Sequence, residues 1–169
     1  RVQKVRSRKP ASRVRLSPTV IELIEQLGGQ YHPSEPQATS ITIAGESWDL
    51  PEALRQLIFD ISWPRGDFFW HKYGDTFSEG VSLGMHVTKE PSLVVDASFA
   101  DNYECAKNQP LLPFAITDQY CYYLFKLDAT GHANPKIYYI DHDDFWDLQA
   151  HEQPFSLVRF LSSLSKKEE

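Results

Sequence analysis

The sequence predicts an α+β domain, an antiparallel sheet with helices packed on one face. Three observations predict it. Apolar stripes of helical period occur at Val20, Leu23, Ile24 and Leu27, at Leu54, Leu57, Ile58 and Ile61, and at Leu157, Phe160, Leu161 and Leu164. Between the second and third stripes lie short runs rich in aromatic and branched residues, the composition of strands. Turn residues separate the first of these runs at Gly74-Asp75, Glu79-Gly80 and Lys89-Glu90-Pro91, as in a meander.

Taken in order, Ser17 suits the cap of the first helix and Pro18 its first turn. That helix is expected over residues 18–27, ended by Gly28-Gly29. Residues 30–40 read as a polar loop. Ile41-Thr42-Ile43-Ala44 reads as a short strand closed by Gly45, suited to a sheet edge. A second helix begins near Pro51, with Glu52 placed to complement the helix dipole. Pro64 stops it by Trp63, because the residue before a proline is pushed out of helical geometry. Strands are expected over 67–71, over 81–87 and around Leu93-Val94-Val95, with Gly84 weakening the second or marking a bulge. Residues 100–110 read as a loop.

The stretch from Leu111 to Leu164 carries the strongest pattern. An apolar run, Leu111-Leu112-Pro113-Phe114-Ala115, precedes two strands, Tyr120 to Leu127 and Lys136 to Ile140. The connector from Asp128 to Pro135 suits a hairpin loop. Side chains alternate along a strand, so Cys121, Tyr123, Phe125 and Leu127 share one face. That all-apolar face is expected to be core. Tyr120, Tyr122, Leu124 and Lys126 share the other, half-buried or open to a partner. Asp141-His142-Asp143-Asp144 follows, and a closing helix is expected from Pro154, at its first position, to Leu164.

This order resembles the SUKH superfamily: Leu-Leu-Pro-Phe-Ala, an aromatic strand ending in Leu127-Asp128, a Tyr-Tyr strand running into Asp-His-Asp-Asp, then a short amphipathic helix. That family includes bacterial immunity proteins and yeast cell-wall-synthesis regulators. The resemblance covers residues 111–164 and extends to Leu50-Pro51-Glu52-Ala53-Leu54, similar to the family's Leu-Pro helix start. Members usually place Gly and Asp after Phe-Ala. This chain has Thr117-Asp118-Gln119 there and lacks the glycine.

At 169 residues the chain is long enough to bury a core as one domain. Cys105 and Cys121 make no disulfide framework. Without a recognisable secretory leader, the cytoplasm is the expected compartment. Cys121 reads as an inert buried thiol rather than a nucleophile. No apolar stretch of about 18 residues offers a membrane span. Residues 1–15 carry seven basic side chains and no acid. Residues 1–16 are therefore expected to form a basic flexible arm, and residues 17–169 a single SUKH-like domain. The arm reads as a linker remnant, or as a contact for nucleic acid or anionic lipid. Past residue 15, ten basic and 23 acidic side chains give a formal net of −13. That balance argues against nucleic-acid binding by the folded body and for a basic partner, or simply for solubility.

The sharpest chemical candidate is Asp141-His142-Asp143-Asp144 with Asp147 and His151. Carboxylates with imidazole can hold a divalent cation or move protons. The spacing fits no calcium loop and no His-Glu-x-x-His motif, so a solvated acidic loop or a protein-binding patch is expected before a metal-dependent hydrolase. Trp146 within the cluster favours the patch. A second group, Trp63, Phe68, Phe69, Trp70, His71 and Tyr73, reads as core and sheet edge, or as a partner groove. No nucleophile elbow, zinc spacing or phosphate loop is present, and no cofactor is expected.

The resemblance implies a non-enzymatic binding protein. Its bacterial members mostly bind and block a cognate toxin, often a nuclease; an adaptor or regulatory scaffold is the alternative. The expected contact residues for such a toxin are Asp118, Asp141, Asp143, Asp144, Trp146 and Asp147.

Overall fold

The computed structural model describes residues 11–34, 40–43, 46–71, 79–85, 93–94, 110–127, 132–141 and 150–166. Helix α1 (Pro18–Gln26) forms as its cap predicts: Ser17 Oγ accepts from the Thr19 N–H at 3.2 Å, and Val20 and Ile24 are buried. Gly28 ends it with φ +102°. At Gly29 a Cβ would lie 2.6 Å from Ile24 Cγ2, so only glycine lets the chain turn this close under the helix. The turn leads into β1 (Gln30–Tyr31). Strands β2 (Ser40–Ile43) and β3 (Glu46–Asp49) pair as a hairpin.

The second helix is shorter than its stripe predicts. Helix α2 (Glu52–Arg55) passes into a π-helical turn (Gln56–Asp60), and β4 (Ile61–Ser62) is already extended. Leu54, Leu57, Ile58 and Ile61 are all buried, but Ile61 reaches the core from a strand paired with Tyr31. The stripe marked burial correctly and helix length wrongly. The Trp63 indole N–H donates to the Leu57 carbonyl at 2.9 Å and satisfies one of the groups freed by the early stop.

Next come β5 (Asp67–Trp70), β6 (Glu79–Leu83), β7 (Leu93–Val94), β8 (Leu111–Thr117), β9 (Tyr122–Lys126), β10 (Lys136–Ile140) and β11 (His151–Ser156). Helix α3 (Leu157–Ser162) and β12 (Leu164–Lys166) complete the described chain. Seven strands form the main sheet in the order β11-β10-β9-β8-β6-β5-β12, every pair antiparallel. The β9–β10 hairpin is the expected one. Strand β7 departs from the meander and pairs parallel with β2, which puts β2 in the middle of a three-stranded sheet and not at an edge. Strand β6 ends at Leu83; the Gly84 N–H turns to the Phe114 carbonyl at 2.8 Å.

The apolar run at Leu111 is a strand in spite of Pro113. Tyr123 faces Ala115 while Leu124 faces Pro113, so Phe114 is the extra residue of a bulge. A bulge tolerates a residue that cannot donate to the ladder. The closing helix is also shorter than expected. Pro154 lies in β11, an edge strand where a missing N–H costs nothing, and Leu164 lies in β12 opposite Trp70.

Strands β11 and β12 are the two edges of the sheet, yet only α3 separates them. A flat seven-stranded sheet would set its edges about 29 Å apart, while a six-residue helix spans about 9 Å. The sheet therefore curls, and α3 bridges its ends. Phe160 of α3 fills the concave face, 5.6 Å from the Phe114 ring and 5.1 Å from Tyr123. Helix α1 packs on α3, and the three helices of the described residues contribute to one continuous core. Tyr123, Phe125 and Leu127 point into that core as the alternation predicts, with Phe125 stacked on Phe114 at 4.3 Å. Leu124, on the opposite face, is buried as well.

Residues 1–10 lie outside the described residues. Packing begins by Ser12, whose carbonyl accepts the Glu52 N–H at 2.9 Å. Leu16 is buried, and its N–H donates to Gln56 Oε1 at 2.7 Å. The end of the expected arm thus belongs to the packed body.

Candidate functional site

The turn joining β8 to β9 is fixed at one end of the main sheet. The Thr117 N–H donates to the Cys121 carbonyl at 2.9 Å, the Cys121 N–H to Thr117 Oγ1 at 3.1 Å, and the Tyr120 N–H to the Thr117 carbonyl at 3.0 Å. Tyr120 completes the turn with φ +60°, the left-handed region that bulky side chains rarely enter. Its side chain stands 72% exposed. A tyrosine, not a glycine, holds the positive φ of this turn.

Asp118 lies on the same turn. Its N–H donates to the Gly80 carbonyl at 2.9 Å, and its Oδ2 accepts from the Gly80 N–H at 3.4 Å. Asp141 follows β10 directly, and the Cys121 thiol reaches its Oδ1 at 3.6 Å. The structure therefore brings Asp118 and Asp141 to one sheet end, on either side of the Tyr120 turn. Asp143, Asp144, Trp146 and Asp147 lie outside the described residues, as do Tyr73 and Cys105.

Beneath the turn the chemistry is buried. Cys121 is 1% exposed. The Tyr123 hydroxyl donates to Glu79 Oε2 at 3.5 Å. Burial, and then the Glu79 charge, hold the Tyr123 phenol far above its ordinary range. Burial, and then a hydrogen bond with Cys121, do the same for Tyr139. Both phenols stay neutral at any physiological pH, and the Tyr123 hydroxyl acts as a structural donor. Among the described residues, no group of three or more His, Cys, Asp or Glu side chains is placed to hold a metal ion.

No protein-family model, curated protein or solved structure gives a significant match to this chain. What the site does therefore rests on its own residues.

The second aromatic group divides by strand parity. Phe68 and Trp70 are core, whereas Phe69 points to the outer face with Asp67. Register places Asp67 opposite Ser82 and Ser82 opposite Ile116, with Phe69 opposite Gly80 and Gly80 beside Asp118. These six residues surround a pocket of about 160 Å³. The sequence marks two of them, Asp118 as a partner contact and Phe69 within the aromatic group, but does not bring them together. The signal available was the alternation in Asp67-Phe68-Phe69-Trp70, which sends Asp67 and Phe69 away from the core. A second groove, of about 450 Å³, lies along α1 beside Glu22 and Glu25.

The buried ionic cluster lies elsewhere, at the π-helical turn. Arg55 grips Glu52 with Nε–Oε2 2.8 Å and Nη2–Oε1 2.9 Å, and Asp60 with Nη1–Oδ1 3.2 Å and Nη2–Oδ2 3.0 Å. Ser34 Oγ donates to Asp60 Oδ1 at 2.5 Å. The Glu52 bond, chiefly, raises the Arg55 guanidinium above its ordinary value. Every arm of this cluster is used inside the protein, so it reads as a fastener between α2 and the segment after β1. No helix of the described residues is long and apolar enough to cross a membrane.

Proposed function

We propose that this chain is a non-enzymatic protein-binding module that acts as an immunity protein, binding and neutralising a cognate toxin with a basic surface. One observation carries the reading. Tyr120 is held outward on a hydrogen-bonded turn, in a strained backbone conformation, with Asp118 on the same turn and Asp141 at the same sheet end. Strain of this kind persists where the surrounding structure enforces it, and such positions cluster at functional sites. An exposed aromatic with two carboxylates at the same sheet end suits a basic protein: the charges speed encounter and the ring resists departure. The net of −13 past residue 15 supports the same partner and fits a toxin that itself binds nucleic acid. In this reading the protein works in the cytoplasm, without cofactor.

The test is binding to the protein encoded by the adjacent open reading frame, with rescue of cells that express it. The parent chain should form a complex and restore growth. Replacing Asp143 and Asp144 together should mainly slow association and weaken its salt dependence, and Trp146→Ala should mainly speed dissociation. No complex and no rescue would overturn the reading.

A further inference from the structure

The outer-face pocket has a chemistry of its own. Its floor is Gly80, whose missing side chain lets the Asp118 carboxylate lie close over the strand: a Cβ there would meet Asp118 Oδ2 at 3.0 Å. Its walls are Phe69 and Ile116. Asp67 and Asp118 flank it, on neighbouring rows of the sheet. Asp67 Oδ1 accepts the Ser82 hydroxyl at 3.0 Å, which orients the carboxylate and leaves its other oxygen available. Among the described residues, neither Asp67 nor Asp118 forms an ion pair, although both are exposed.

We propose that this pocket receives one arginine side chain of the protein partner. The inference rests on the binding-module reading and names the chemistry it recognises. At about 160 Å³ the space is below the roughly 300 Å³ where small-molecule sites begin, so it suits a side chain rather than a free metabolite. Two carboxylates call for a cation. The apolar walls disfavour a hydrated metal ion or an ammonium and favour a guanidinium, which is weakly hydrated and stacks on aromatic faces. Its planar fork can donate to Asp118 and Asp67 together, where a point charge would satisfy one at a time.

Amide spectra of the full chain, titrated with acetyl-arginine methylamide and separately with its citrulline counterpart, test the pocket. Arginine should cause saturable shifts centred on Gly80, Ser82 and Asp118, and citrulline, equal in shape but uncharged, should not. Asp67→Asn and Asp118→Asn should each weaken the arginine response roughly tenfold. The citrulline control needs no variant, so poor folding of either one leaves the test intact. Shifts that scatter, that centre on Glu22 and Glu25 of the α1 groove, or that citrulline or calcium reproduces would overturn the proposal. Failure of the pocket is separable from failure of the wider reading. A toxin complex formed at parent affinity by both Asn variants removes only the pocket's role. A pocket that takes arginine in a chain that binds no partner removes the immunity reading.

Discussion

The rings of Trp70 and Phe155 lie 5.0 Å apart and 61° to one another, although four strands stand between theirs, β5 and β11, in the seven-strand order. Trp70 also meets Tyr123 edge-on at 5.2 Å and Phe160 at 5.2 Å. The curl of the sheet is thus held by aromatic contact across the gap that α3 bridges. Aromatic pairs of this geometry add about 0.5–1.5 kcal/mol beyond the area they bury.

The first prediction follows from that contact. Phe155→Ala, at a half-buried site, should cost about 2 kcal/mol in urea unfolding. A double-mutant cycle with Trp70→Ala should return a coupling of about 0.5–1.5 kcal/mol. A coupling of zero would mean that the two ends of the sheet are held by α3 alone.

A second prediction concerns Arg55 and Asp60. Their side chains are 6% and 1% exposed and share two hydrogen bonds. Asp60→Ala would leave a guanidinium buried with one carboxylate lost, at a cost of about 3–5 kcal/mol. The Lys136–Glu152 pair, 3.2 Å apart but half-exposed, should be worth less than about 1 kcal/mol and should fade with added salt. Equal losses from the two pairs would show that burial is not what makes the Arg55 cluster matter.

The same cluster marks where sequence reading ran short. Burial was legible: Val20, Ile24, Leu54, Leu57, Phe125 and Phe160 lie in the core as their periodicity requires. The β9–β10 hairpin was legible too, because alternating apolar side chains and a turn-rich connector are local signals. Element ends were not. Ile61 continues the stripe of α2, but pairing with Tyr31, a contact between distant residues, draws it into a strand. Leu164 continues the stripe of α3 and is taken by pairing with Trp70 in the same way. Pro113 masked a strand, because a bulge cannot be read from composition. The pocket was hidden for a related reason. Asp67, Ser82 and Asp118 come together only through register, which one strand's sequence does not encode.

The third prediction is a pH dependence. Tyr123 and Tyr139 have phenols raised by burial, so the folded state holds protons that the unfolded state releases above about pH 10. A raised value stabilises the fold fully below that pH, and the contribution is lost as pH rises. Each such tyrosine should steepen the loss by about 1.4 kcal/mol per pH unit once the unfolded side has ionised. The urea midpoint should hold steady from neutral pH to about pH 9 and then fall. Tyr123→Phe should make that fall shallower. An alkaline limb of unchanged slope in the variant would mean that other groups cause it.

The last prediction separates strain from recognition at Tyr120. A non-glycine residue in the left-handed region costs about 1–2 kcal/mol, and glycine brings back roughly half of that as unfolded-state entropy. Tyr120→Gly should therefore raise stability by roughly 0.5–1 kcal/mol. Tyr120→Ala keeps the strain and, at a site 72% exposed, should leave stability within about 0.5 kcal/mol of the parent. Both variants remove the ring, so both should bind the basic partner more weakly, by about 1–2 kcal/mol if the ring anchors the contact. A chain that grows more stable with glycine and loses its partner with either substitution has a turn built for binding at the expense of stability. If Tyr120→Gly stabilises and binding is untouched, the positive φ is a local irregularity, and the contact lies on another face.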